Sequence, residues 1–267
     1  HRLEVRAGST PAQTTTLIVS PGRCWLPPEL EAGQRLWGIA VQLYLLREEA
    51  DWGIGDFGHL RRLVEIVAAH GADIVGLNPL HAMFHDNPTH ASPYSPASRL
   101  LLNLLYIDVP ALPALLGCSQ ASTVLESARM RAVLDTVAAC RPEPLLDYER
   151  VTAAKLTALE AMFEECRDSR RAEFETFRRE RGDVLERHVR FLALREHFAR
   201  LDPALADWHA WPEAYRDPDS PDVARFAQDN ADRITFLAWL QWVADLQLGE
   251  AAARAKAMGM AIGLYRD

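Results

Sequence analysis

Three stretches of the chain are apolar almost without a break, and the segments between them place their apolar residues at helical spacing. Residues 37–46 (WGIAVQLYLL) and 73–80 (DIVGLNPL) have the length and the β-branched and aromatic content of strands covered on both faces. Between them Leu60, Leu63, Val64, Val67 and Ala68 share one helical face, with Asp56 placed to cap the start and Gly71 to end it. Strand, helix and strand in that order predict a βαβ unit with a right-handed crossover. The third stretch, residues 260–267 (MAIGLYRD), predicts another buried strand, reached through one long amphipathic helix from about Pro221 to near Gly259.

The rest of the chain reads differently. Residues 3–6 and 15–19 predict two short strands joined by a Gly/Ser/Thr/Pro turn, the tail of a β-rich element whose linker ends at Pro27 and Pro28. Residues 121 to about 200 are rich in strong helix formers, with Leu156, Leu159, Phe163, Val184, Val189 and Leu192 on apolar stripes and charge runs as solvated faces. The organisation is therefore a β-rich element and linker over 1–28 and the βαβ unit with its following loop over 29–120. A helical insertion fills 121–220, and the long helix with the third strand occupies 221–267. The fold class is α/β. Three parallel strands do not close a barrel, which takes about eight, and an open three-stranded sheet leaves an edge unpaired. These residues read as the first part of a larger α/β barrel, and a start at His1 without an initiator Met points the same way.

Charge narrows the partners. The chain has 267 residues and a formal net charge of −8 with no stripe of Lys and Arg, which excludes a nucleic-acid partner. No apolar run approaches membrane-spanning length and no signal-peptide pattern opens the chain. Cys24, Cys118, Cys140 and Cys166 lie far apart without a C-x-x-C spacing, which predicts reduced, mostly buried thiols and a cytoplasmic location.

In parallel α/β architectures ligands bind beyond the carboxyl ends of the strands. That rule selects Trp52, Asp56, His81, Ser92, Tyr94 and Asp267 from the segments that follow the predicted strands. Aromatic faces, hydroxyls and carboxylates together suit a sugar, whose C–H faces stack on rings; the plainer alternative is that Trp52 and Tyr94 pack under loops. Within residues 89–99 (THASPYSPASR), Pro93 and Pro96 fix their own φ and push Ser92 and Ser95 towards extended geometry, so Tyr94 is held stiffly. Other chemistries fall away. His81, His85, His90 and Asp86 suggest a metal site, but Pro79 and Pro88 interrupt any helix that would align them and no Cys joins them. Ser92 lacks a G-x-S-x-G context, and the G-x-G of residues 52–60 (WGIGDFGHL) lacks the third glycine of a dinucleotide fingerprint, so no metal and no cofactor is expected.

Four ordered segments, residues 37–60, 73–84, 92–109 (SPYSPASRLLLNLLYIDV) and 263–267 (GLYRD), closely resemble the 4-α-glucanotransferase family, also called amylomaltase or disproportionating enzyme. The resemblance runs from Trp37 to Asp108 and from Trp208 through Asp267, and is loose in the helical stretch between. It implies a (β/α)8 barrel of the α-amylase type with helical insertions, acting in the cytoplasm on maltodextrins by a retaining double displacement. It also implies that the nucleophile and the acid/base lie on strands beyond residue 267. By the same resemblance Tyr94 stacks on the sugar beside the scissile bond, Ser92 is a neighbouring substrate-loop serine, and Asp267 supports the reacting site without being the nucleophile. His81 and Trp52 join them as substrate-binding candidates on the same rim. Leu104 replaces a proline usual in the family and Leu45 a serine, which loosens a turn near Asn103 and removes a rim hydroxyl. The alternatives are an amylase-type hydrolase and a non-catalytic glucan-binding chain.

Overall fold

Short extended segments pair at the start of the chain: β1 (Arg2–Val5) runs antiparallel to β2 (Gln13–Thr16), with Arg2 opposite Thr16 and Val5 opposite Gln13. The second strand thus begins before the expected residue 15. A proline-initiated helical turn, α1 (Pro28–Glu31), follows. The computed structural model describes residues 1–49, 51–141, 143 and 145–266. Two compact units divide between Leu36 and Trp37, so the first extends past the boundary expected at residue 28.

The second unit opens with the expected βαβ motif, β3 (Gly38–Val41), α2 (Phe57–Ala69) and β4 (Ile74–Leu77). A Cβ on Gly38 would stand 1.9 Å from the Ile74 carbonyl oxygen, so glycine alone admits the close parallel pairing there. The strand expected over 37–46 stops at Val41. Asn78 accepts the Leu43 N–H at 2.7 Å, and Leu43–Leu45 turns into a 3-10 helix. Residues of β3 are exposed or half-buried rather than covered on both faces, because β3 is an edge of the described sheet. Asp56 caps α2 as its position predicts, accepting the N–H groups of Gly58 and His59.

After β4 comes a two-residue strand, β5 (His81–Ala82), paired antiparallel with β6 (Ser98–Leu102), where the pattern predicts only a loop. Then follow α3 (Leu112–Leu116), α4 (Gln120–Glu126), α5 (Ala128–Cys140), α6 (Tyr148–Cys166) and α7 (Arg171–Leu201), the last bent at Gly182 where φ is 51°. The expected single helix after Pro221 is two, α8 (Pro221–Asp229) and α9 (Ala231–Ala257), because Asn230 leaves helical geometry. Last comes β7 (Gly263–Arg266). The sheet order is β3-β4-β7, all parallel.

α9 is the pillar of this unit. Ile234, Phe236, Leu237, Trp239, Leu240, Trp242 and Val243 are buried all round the helix, as a helix needs when other elements surround it. It packs on α2, α6 and α7, so the insertion shares one core with the sheet instead of forming a separate body. Two buried glutamines on α9 complete backbone pairing elsewhere. Gln241 accepts the Leu102 N–H at 2.9 Å and donates to its carbonyl at 2.8 Å, and Gln247 does the same for Asp108 at 2.8 Å each.

Cys118 and Cys166 form a disulfide with their Cα atoms 5.9 Å apart, which corrects the expectation of four reduced thiols. Only the fold brings together two cysteines so far apart in sequence. Cys140 is free and buried, whereas Cys24 is free and exposed. Among the described residues no helix is long and apolar enough to cross a membrane.

Candidate functional site

Val41 is level with Leu77 across β3 and β4, and Leu77 with Arg266 across β4 and β7, so the three strands end together. Segments leaving those ends therefore share one rim. Asn78, first after β4, ties two of them: its Oδ1 takes the Leu43 N–H and its Nδ2 donates to the Tyr106 hydroxyl at 3.1 Å. Burial pushes the Tyr106 phenol well above its ordinary range, the Asn78 hydrogen bond opposing it, so the ring stays neutral. Asn78 was not singled out in the sequence; its place directly after a buried strand was the available signal.

The segment after β3 turns inward. Trp52 is 3 % exposed and belongs to the hydrophobic core, which corrects its expected place on a substrate surface. The next residue, Gly53, lies against the insertion: a Cβ there would meet Val151 of α6 at 2.8 Å and Cys140 of α5 at 3.6 Å. Arg141 fixes the same segment by donating from Nε to the Asp51 carbonyl at 2.8 Å.

Asp56 is buried too, in a cluster with His59 and Lys155. Lys155 donates to the carbonyls of Leu105 and Ile107 at 2.7 and 2.8 Å and stands 3.6 Å from Asp56 Oδ2. Burial alone would raise the Asp56 carboxyl, but Lys155 and His59 outweigh it and hold the pKa below its ordinary value. Burial lowers the Lys155 ammonium, with Asp56 and Asp108 opposing. Every oxygen around Nζ is an acceptor, which fits a protonated lysine joining α6 to the start of α2. This cluster holds the rim from beneath and presents no open face.

The segment after β4 turns outward. Ser92, Pro93, Tyr94 and Ser95 make a turn closed by the Ser95 N–H on the Ser92 carbonyl at 3.0 Å, with Pro93 at the second position, where its fixed φ suits a turn. The Ala97 N–H donates to the Ala82 carbonyl at 2.8 Å and closes the base of the loop. Tyr94 at the tip is 64 % exposed, and Ser92 is exposed beside it. His81 is half-buried in β5 at the foot of the ribbon. Asp267 lies outside the described residues.

An open groove of about 480 Å³ runs beside this loop, bounded by Thr89 on one side and by Glu143, Asp147, Tyr148 and Arg150 on the other. Burial, with Tyr44 adding to it, pushes the Tyr148 phenol up to about 12, so it offers a neutral hydroxyl. Sequence reasoning passed over this wall because its residues lie more than fifty positions from Thr89 in sequence. Among the described residues no group of three or more His, Cys, Asp or Glu side chains is placed to hold a metal ion.

Residues 41–267 match a family described as 4-alpha-glucanotransferase. A 4-alpha-glucanotransferase of Haemophilus influenzae is 36 % identical over 261 residues, which make up 94 % of this chain and 37 % of that protein. The crystal structure of amylomaltase from Corynebacterium glutamicum superposes with a TM-score of 0.74 at 29 % identity, covering 100 % of this chain and 34 % of that one. Amylomaltase from Streptococcus agalactiae in complex with acarbose shares the fold at 19 % identity and a TM-score of 0.61, over 85 % of this chain and 42 % of its own. The chain thus spans a little over a third of the length of the curated relative it matches.

Proposed function

The chain belongs to the 4-alpha-glucanotransferase family, and from that membership we propose that it contributes to transfer of α-1,4-linked glucosyl segments between maltodextrins. On this reading β3, β4 and β7 are the first three strands of a (β/α)8 barrel, with the helical segment of residues 121–220 inserted before the third. A carboxylate attacks the anomeric carbon while a second carboxyl group protonates the departing 4-oxygen. The glucosyl ester is then taken by the 4-hydroxyl of an acceptor glucan, the second group now acting as base. Those two groups stand about 5–5.5 Å apart in such a mechanism, and neither role is assigned to a residue of this chain.

The observation that carries the reading is Tyr94, exposed at the tip of a proline-fixed turn that follows a sheet strand within the family match. Its ring is the stacking platform for a pyranose and contributes about 0.5–1.5 kcal/mol beyond area burial. A preset ring orientation spares the ordering cost when glucan arrives. The Ser92 hydroxyl and the His81 imidazole are proposed as hydrogen-bond partners on the same loop, and Asp267 as a support for the reacting site. No sugar contact is assigned to Trp52. The groove between Thr89 and Tyr148 gives the glucan a path away from Tyr94. The acarbose held by the Streptococcus agalactiae relative supports a saccharide ligand here. A cytoplasmic site of action is part of the proposal on family grounds, since the paired cysteines no longer argue for it.

Incubating the intact protein with maltotriose is expected to yield glucose together with longer maltodextrins. Hydrolysis products alone would point to an amylase-type hydrolase, and affinity without turnover to a glucan-binding role. Tyr94→Ala should weaken glucan binding by about 1–3 kcal/mol. An unchanged KM for maltotriose in that variant would reduce the ring to a loop anchor.

A further inference from the structure

The loop that ends in Tyr94 is gripped by a helix more than a hundred residues away. Arg195 of α7 holds Asp86 with Nε at 2.9 and 2.7 Å from the two carboxylate oxygens, and its Nη1 donates to the Ala206 carbonyl at 2.6 Å. The guanidinium also lies over the Phe84 ring, 4.2 Å from its centroid. Neighbouring Glu196 hydrogen-bonds His85 through Oε1, and both its oxygens accept from Arg233 of α9 at 2.7 and 2.8 Å. Arg233 in turn donates to Glu160 of α6 at 2.7 Å. One helix, α7, therefore holds three consecutive residues, Phe84, His85 and Asp86, at the outgoing limb of the loop, and Arg233 ties that grip to α9 and α6.

Exposure and charge make this more than surface pairing. The Arg195 and Asp86 side chains are only 11 % and 15 % exposed, and Glu196 and His85 are buried, so screening by salt is weak. Arg195 and Glu196 point about 100° apart on the helix, yet each meets its own loop residue, which fixes the limb in rotation as well as in position. The returning limb is pinned independently by Ala97 on Ala82. Between the two anchors the hydrogen bonds of the described residues stay within the loop: backbone turn bonds from Asn87 to Phe84, His90 to Asn87 and Ser95 to Ser92, and the Thr89 hydroxyl on Asn87 Oδ1 at 3.0 Å.

We propose that Arg195 and Glu196 are positioning residues for glucan, gripping Asp86 and His85 so that the turn bearing Ser92 and Tyr94 is set before substrate binds. This rests on the glucan reading of Tyr94 given above. It assigns the insertion a task in recognition: part of the rim's geometry comes from α7 rather than from the sheet.

The test is a double-mutant cycle in the intact protein, with maltotriose as substrate. Arg195→Ala should raise KM about tenfold while kcat changes little, since misplacing a binding group by about 1 Å costs up to a hundredfold. Glu196→Gln, which keeps the side-chain volume, should raise KM in the same direction. In a Tyr94→Ala background Arg195→Ala should have a much smaller further effect on KM, because most of what the helix does passes through the ring and only the Ser92 contact is left for it to place. Additive losses would overturn the proposal, since a general loosening of the fold does not depend on Tyr94. Amide hydrogen exchange is the second readout. Arg195→Ala should speed exchange over residues 87–97 and leave the interior of α9 unchanged; unaltered exchange in the loop would overturn the grip even if the parent showed no transfer activity. Absence of transfer in the parent alone would instead count against the glucan reading.

Discussion

Lys155 carries an ammonium group with no exposure to water; two backbone carbonyls accept from it and the Asp56 carboxylate stands 3.6 Å away as its counter-charge. Removing one partner from such a buried pair leaves the other charge uncompensated, which is more damaging than the pair is worth. Lys155→Met should therefore destabilise the chain by about 3–5 kcal/mol, read from the midpoint of urea unfolding; a loss under about 1 kcal/mol would show that Asp56 is satisfied by its own cap. Nothing in the residues around Lys155 announces this role, since a lone lysine in a helix of mixed charge normally faces solvent. Tyr94 is the opposite case. Its flanking prolines restrict the backbone whatever surrounds it, a constraint readable from eleven residues, and the structure sets the ring exposed on a turn. Trp52 was not readable in that way, because its burial in a core shared with distant helices leaves no mark on the residues beside it.

Among the elements, those built from local signals appear where the pattern puts them. α2 has its Asp56 cap, its apolar stripe and its stop at Gly71 with φ 83°. The ribbon of β5 and β6 was hidden, because a strand of two residues has no periodicity and its pairing partner lies beyond the loop. The insertion was legible as helix, but its attachment was not. Cys118 follows α3 and Cys166 ends α6, so their disulfide encloses α4, α5 and most of α6. At a sequence separation of 48 residues, reduction should remove about 2–4 kcal/mol by freeing the unfolded chain. Urea titrations with and without dithiothreitol measure this, and coincident curves would mean that the two sulfurs are not bonded in solution.

For the whole molecule, acid is the informative variable. Burial, with His85 adding to it, pushes the His188 imidazole down to about 4. In the unfolded chain a histidine titrates near 6.5 and takes up its proton first, so the stability held above that pH is lost as pH falls from about 6.5 to about 4. The Glu196 carboxyl behaves as a second stage: burial would raise it, but hydrogen bonds from His85 and Arg233 hold it at about 2. Its contribution is complete above about 4.5 and disappears as pH falls through about 2. The melting temperature should decline in these two windows, and His188→Leu should flatten the first while leaving the second. An unchanged slope between pH 6.5 and 4 in that variant would remove His188 as the cause. Glu196 is part of the grip on the loop that carries Ser92 and Tyr94, and His188 lies close to its partner His85, so the loop's order should share this acid sensitivity.

The sequence by itself determined the α/β class, the parallel strands and the helical character of the insertion, because periodicity and caps act within a few neighbouring residues. What only the tertiary structure decided is which rim residues turn outward, which charges are buried in pairs, and which helix holds the loop. Those outcomes depend on contacts such as Asp86 with Arg195, 109 positions apart, and Leu102 with Gln241, 139 apart. No local pattern encodes them, since they form only when the α9 pillar brings distant segments into one core.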